Sequence, residues 1–217
     1  MKTTRTLLLL LSGTLFAVLA ILASQVNADW LTAPDDVVER WLDAHRSARL
    51  RVDAEGAFSY LGRPLHVATA GVVAGVLLGW RSRSVLPLAL VTGGVGLGVV
   101  LEQTFKAIIG RSDATLAALH DGSLTAYAHS FPSGHVTGAT TLLGMIAVCA
   151  GAGRSAAVKA TLAALVVTGV LCVALLALYS RAHIFSDVLG GMALGGAIVA
   201  LGAAAQSKPP ASRILSE

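Results

Sequence analysis

Charged residues are scarce in this sequence. Asp, Glu, Lys and Arg together make up 13% of its 217 residues, while 55% are hydrophobic. A soluble domain of this length carries about twice that charged share. The composition therefore excludes an ordinary soluble enzyme and points to a membrane protein. Cysteine is nearly absent as well. Cys149 and Cys172 both lie inside apolar runs, which leaves a disulfide framework or a zinc site without support and makes each a small core hydrophobe. No linker or low-complexity stretch divides the chain, so residues 1–217 are expected to form one integral-membrane domain.

What is present is a series of long apolar runs. Crossing a bilayer as a helix takes about 20 apolar residues. Six runs read as spans, the second of them short: roughly Thr6–Val26, Leu65–Trp80, Val85–Ile109, Gly134–Gly151, Ala157–Tyr179 and Val188–Ala204. The expected fold is all-α, a polytopic bundle of six transmembrane helices. Lys2 and Arg5 before the first run, with Val26-Asn27-Ala28 after it, have the look of a signal peptide. That run exceeds the roughly 7–15 residues of a signal core, so a retained span is expected.

The connections between runs alternate in charge. Lys2, Arg5, Arg81, Arg83, Arg154, Lys159, Lys208 and Arg213 fall on one side, with Glu217 their single acid. The loop 29–63 on the other side is mixed, its five arginines offset by Asp35, Asp36, Glu39, Asp43, Asp53 and Glu55. The positive-inside rule then puts both termini in the cytoplasm and the loops 110–133 and 180–187 outside, in a plasma (inner) membrane. This placement also explains the sequence pI of about 9.4 without invoking nucleic acid. The loop 29–63 is expected to carry an interfacial amphipathic helix starting at Pro34-Asp35, with Trp30 and Trp41 as anchors and a solvated face resting on the headgroups. Residues 205–217 read as a flexible cytoplasmic tail. Gly71, Gly75 and Gly79, and again Gly191 and Gly195, repeat one turn apart and mark close helix packing, either within the chain or in a dimer.

Ionisable residues in or beside a span are costly, and are functional candidates by default. Here they gather at the same ends of the third, fourth and sixth runs, in EQTFKAIIGR (102–111), FPSGH (131–135) and SRAHIFSD (180–187). Ser133 is a natural N-cap, and Gly134 opens the backbone of a helix start to an anion. His135 on that first turn is placed to donate a proton. His183 and Asp187 are four apart, the spacing at which a carboxylate on a helix fixes one ring nitrogen and leaves the other as base or nucleophile. Lys106, Arg111 and Arg181 supply positive charge. Each group alone has a plain structural explanation, whether a capped helix, an interfacial hydrogen bond or a snorkelling cation. Together they make an inventory for phosphoryl transfer through a phosphohistidine, with no metal-ligand spacing and no cofactor motif.

These residues resemble the type 2 phosphatidic acid phosphatases, integral-membrane relatives of the vanadium-dependent haloperoxidases. PSGH at 132–135 and HIFSDVLGG from His183 carry the resemblance, over roughly residues 60–204. It implies a lipid phosphate or diphosphate substrate met at the outer leaflet, with His183 as nucleophile, Asp187 orienting it and His135 protonating the leaving oxygen. Ser133, Gly134, Lys106, Arg111 and Arg181 would hold the phosphate. Two motifs depart from the family pattern. Asp113 and Ala114 stand where Arg-Pro is usual, and Ala177 stands at the third motif's arginine, with Arg181 one turn later. The alternatives are a lipid phosphotransferase and a non-catalytic lipid-phosphate binder. His120 and His129 read as loop residues. A transporter fits poorly, since the charges sit at helix ends and not at the midplane.

Overall fold

The computed structural model describes residues 2–61, 64–112 and 127–207. Asp113, Ala114, His120 and the tail from residue 208 lie outside the described residues. Those described hold eight helices and no strand: α1 Lys2–Ser24, α2 Asp29–His45, α3 Ala48–Leu61, α4 Pro64–Ser82, α5 Leu86–Ile108, α6 Gly134–Gly151, α7 Ala156–Tyr179 and α8 Phe185–Gln206. Six of them are long and apolar enough to span a membrane, namely α1 and α4 to α8. The chain is a multi-span membrane protein with the all-helical architecture expected.

Helix α8 is the centre of the bundle. Of its most apolar stretch 61% is buried, against 11–39% in the other five spans. Its sequence explains this position: FSDVLGGMALGGAIVALGAAAQ is dominated by Gly and Ala, so neighbouring backbones can approach from every side. α1, α6 and α5 pack around it. A Cβ on Gly191 would lie 2.7 Å from the Ser133 carbonyl oxygen, and one on Gly195 would lie 2.9 Å from that of Thr137. These two glycines therefore let α6 lie directly on α8. Gly75 does the same for α4, where a Cβ would lie 2.9 Å from Cα of Leu88 on α5. Glycines from both series thus serve contacts within this chain. On the opposite flank Ser12 Oγ of α1 donates to the Ala197 carbonyl at 2.9 Å.

The span limits shift by a few residues, and one shift matters. The sixth run was expected to start at Val188, but α8 begins at Phe185. Asp187 is therefore inside its first turn, and His183 precedes the helix. The segment 29–63 also differs from expectation. It forms two helices, and the first starts at Asp29, ahead of Pro34. Asp29 in the first turn favours the helix dipole, while Pro34 forfeits one hydrogen bond near the helix start. Trp30 and Trp41 are exposed. The acidic side of α2 is not a solvated face, because Asp35 and Glu39 are buried where α2 packs on α8 and α7.

Candidate active site

Three chain reversals bring the expected residues together at one end of the bundle. The first is the start of α6. Ser133 is its N-cap, and its Oγ accepts from the Val136 N–H at 3.4 Å. The Ser133 N–H in turn donates to the Asp187 carbonyl at 3.0 Å, which ties the PSGH turn to α8. The first-turn N–H groups at Gly134 and His135 have no partner within the helix and face the positive end of its dipole outward. A Cβ at Gly134 would lie 2.8 Å from Glu102 Oε1, so this glycine makes room for a carboxylate of α5. Lys106 holds that carboxylate at 2.5 Å.

The second reversal ends α7. The Arg181 N–H donates to Leu178 at 3.2 Å and the Ala182 N–H to Ala177 at 3.1 Å, with Arg181 at φ 59°. This is a Schellman ending whose left-handed position, normally a glycine, holds an arginine. Such a residue costs on the order of 1–2 kcal/mol in the left-handed region. Here it turns the chain so that His183 arrives above the start of α8. The Arg181 guanidinium points to α2, where it pairs with Asp43 and with Glu39 at 3.3 Å. Arg46 joins the same cluster. It bonds to Glu39 at 3.0 Å and caps α7 through the carbonyls of Leu178 at 3.1 Å and Tyr179 at 3.2 Å.

The third reversal is the N-terminus of α8. Asp187 Oδ2 reaches back to the Ile184 N–H at 3.4 Å and lies 3.2 Å from His183 Nδ1. The His-Asp contact is thus made, though not by two residues stacked on one helix as their spacing implied. It arises because the third residue of a helix can turn its carboxylate back over the cap. An ionised carboxylate only accepts, so Nδ1 is the donor of this pair, and in the neutral ring Nε2 holds the free lone pair. Both residues are buried, at 7% and 0% exposure.

Arg111, expected to hold phosphate, lies against Asp187. It is buried with its two terminal nitrogens fully engaged. NH1 donates to Ser130 Oγ at 2.8 Å and the Tyr127 carbonyl at 3.0 Å, and NH2 to Asp187 Oδ1 at 2.6 Å and Ser186 Oγ at 3.0 Å. Its Nε has no hydrogen bond among the described residues. Arg111 thus neutralises the carboxylate that orients His183. Among the three expected phosphate ligands of positive charge, each faces a carboxylate: Lys106 faces Glu102, Arg111 faces Asp187, and Arg181 faces Glu39 and Asp43.

Several residues around the site were not among those the sequence assigned to it. Phe58 of α3 stacks on His135 at a centroid distance of 3.9 Å and meets His183 edge-on at 6.2 Å, so one ring joins both histidines. Asp35 of α2 accepts from the Ser186 N–H at 2.6 Å and from its hydroxyl at 2.7 Å. Burial pushes the Asp35 carboxyl up to about 6, against the opposing pull of the Ser186 hydrogen bonds and the Arg111 charge. Tyr127 donates its hydroxyl to the Arg181 carbonyl at 3.0 Å. His129 sits beside the end of α5, its Nδ1 3.1 Å from the Lys106 and Ile109 carbonyls, and plays a local part there.

Comparison with known proteins bears on the fold and the family. A crystal structure described as the first transmembrane PAP2-type phosphatidylglycerolphosphate phosphatase, from Bacillus subtilis, superposes with a TM-score of 0.73. The match covers 92% of this chain and 98% of that one at 18% identity, which establishes a common fold. No curated protein matches the sequence. The PAP2 superfamily model matches residues 85–209, a segment running from α5 to the end of α8 and containing His135, His183, Asp187 and the other five expected site residues. The chain belongs to the PAP2 superfamily.

Proposed function

We propose that this protein is a lipid phosphatase that hydrolyses a lipid phosphate or diphosphate through a phosphohistidine formed on His183. One observation carries the reading: a buried His183–Asp187 pair at 3.2 Å, with His135 joined to it across the ring of Phe58. Membership of the PAP2 superfamily supports it.

The geometry supports the following chemistry. His183 Nε2 attacks phosphorus and forms the N–P bond while the bond to the leaving oxygen breaks, that of the lipid alcohol in a monophosphate or of the lipid phosphate in a diphosphate. His135 gives its proton to that oxygen. Asp187 keeps the His183 proton on Nδ1 and stabilises the positive ring as it forms. Water then attacks phosphorus, His135 recovers a proton from it, and phosphate leaves. The N-terminus of α6 at Ser133 and Gly134, with Lys106 beside it, holds the phosphoryl oxygens. Arg111 serves this site through Asp187, and Arg181 through the ion-pair cluster of α2. Every step runs through these side chains and needs no metal. The charge distribution of the loops supports a site facing outward, at the outer leaflet.

The test is phosphate release in detergent from phosphatidic acid, phosphatidylglycerol phosphate and a polyprenyl diphosphate. Release from at least one at turnover numbers well above buffer is the expected result. The second reading is a lipid-phosphate binder without turnover, motivated by Asp113 and Ala114 standing where the family pattern has Arg-Pro. Binding of these lipids with no release from any of them would establish that reading instead.

A further inference from the structure

We propose that Asp35, on the extramembrane helix α2, is a positioning residue for the His183 nucleophile, acting through the Ser186 hydroxyl and the Arg111 guanidinium. The inference rests on the phosphatase reading above. The hydrogen bonds run in one direction. An ionised Asp35 is acceptor-only, so it takes the single hydroxyl proton of Ser186 at Oδ2, 2.7 Å away, and the Ser186 N–H at Oδ1, 2.6 Å away. That leaves the Ser186 oxygen as an acceptor toward Arg111, which donates to it at 3.0 Å. The same Arg111 nitrogen donates to Asp187 Oδ1 at 2.6 Å, and the other Asp187 oxygen takes His183 Nδ1 at 3.2 Å. Asp35 therefore fixes a rotor, the rotor fixes a guanidinium, and the guanidinium fixes the carboxylate that orients the nucleophile.

Every link of this chain is buried: exposure is 1% at Asp35, 0% at Ser186 and Asp187, 6% at Arg111 and 7% at His183. In such a setting each charge polarises the next bond. A buried carboxylate is also a costly way to dock one helix on another, as the upward shift of the Asp35 carboxyl to about 6 shows. The contact serves more than attachment because its two halves are separable. The Ser186 backbone N–H docks α2 on the start of α8, and the Ser186 hydroxyl passes the interaction inward.

That separation supplies the experiment. Ser186→Ala keeps the backbone bond to Asp35 and removes the bridge. Asp35→Asn keeps the shape and removes the charge. Both variants and the double variant are purified in detergent and assayed on the best substrate of the wild type, with thermal midpoints measured in parallel. Each single variant is expected to lose about tenfold in kcat, the scale of an outer-shell partner, with KM within about twofold. The double variant is expected to lose no more than the worse single one. Single-turnover phosphorylation of His183 should slow by the same factor. Wild-type kcat in Ser186→Ala overturns the proposal, as does an effect confined to KM or a loss that multiplies in the double variant. Should Asp35→Asn not fold, Ser186→Ala decides alone. A wild type silent on every lipid phosphate overturns the phosphatase reading and this inference with it, whereas an active wild type with unaffected variants overturns the inference alone.

Discussion

His183→Ala is expected to abolish phosphate release from lipid phosphates while the protein stays folded. Removing a nucleophile that is oriented by a carboxylate costs at least about a thousandfold in kcat in comparable hydrolytic triads. The imidazole is 7% exposed and reaches the described structure mainly through Asp187 and the edge of Phe58, so its loss leaves a small cavity and an intact Arg111–Asp187 pair. Asp187→Asn should come close to it in effect. An amide toward Nδ1 favours the tautomer with its proton on Nε2, the wrong nitrogen for attack, and comparable substitutions cost on the order of 10⁴-fold. The measurement is steady-state phosphate release beside gel filtration in detergent. A folded His183→Ala variant with wild-type release would remove His183 from the reaction.

Arg111→Met is expected to be the most damaging substitution for stability. It leaves Asp187, 0% exposed, as an uncompensated buried charge, and strips partners from Ser130, Ser186 and the Tyr127 carbonyl. Breaking a buried pair from one side costs about 3–5 kcal/mol. For a chain of this size that lowers the thermal midpoint by about 10 °C or more. Arg111→Lys should recover little, since an ammonium cannot span four acceptors in a planar fork. A direct phosphate ligand would behave otherwise: Arg111→Met would then keep its midpoint and raise KM. Thermal denaturation followed together with KM separates the two roles.

The fold was legible in the sequence because a bilayer imposes length and apolarity on each span, and six runs met both conditions. The two histidines and Asp187 were legible because their residue types stand out in an apolar chain. What escaped has physical reasons. A guanidinium binds carboxylate and phosphate with the same fork, so residue type alone did not show that Arg111 faces Asp187 and Arg181 faces Glu39 and Asp43. Those partners come from far away in the chain. Asp35 is 151 residues from Ser186, and Asp43 is 138 from Arg181. In a loop rich in both charge signs, nothing distinguishes a buried acid from a solvated one. Phe58 is likewise one apolar residue on an amphipathic helix, and only packing puts its ring on His135. The start of α8 was placed too late because Ser186 and Asp187 interrupt the apolar run, although as first-turn residues they are what a helix start favours.

The central claim is that His183 carries the phosphoryl group, and trapping that intermediate tests it most directly. Wild-type protein turning over a lipid phosphate labelled in its phosphorus is quenched in alkali, digested and mapped. The account predicts an acid-labile, alkali-stable label on the peptide holding His183, absent from His183→Ala and accumulating in His135→Ala if loss of that proton carrier slows hydrolysis more than attack. Steady phosphate release by wild type with no label on His183, or with label on another residue, would contradict it.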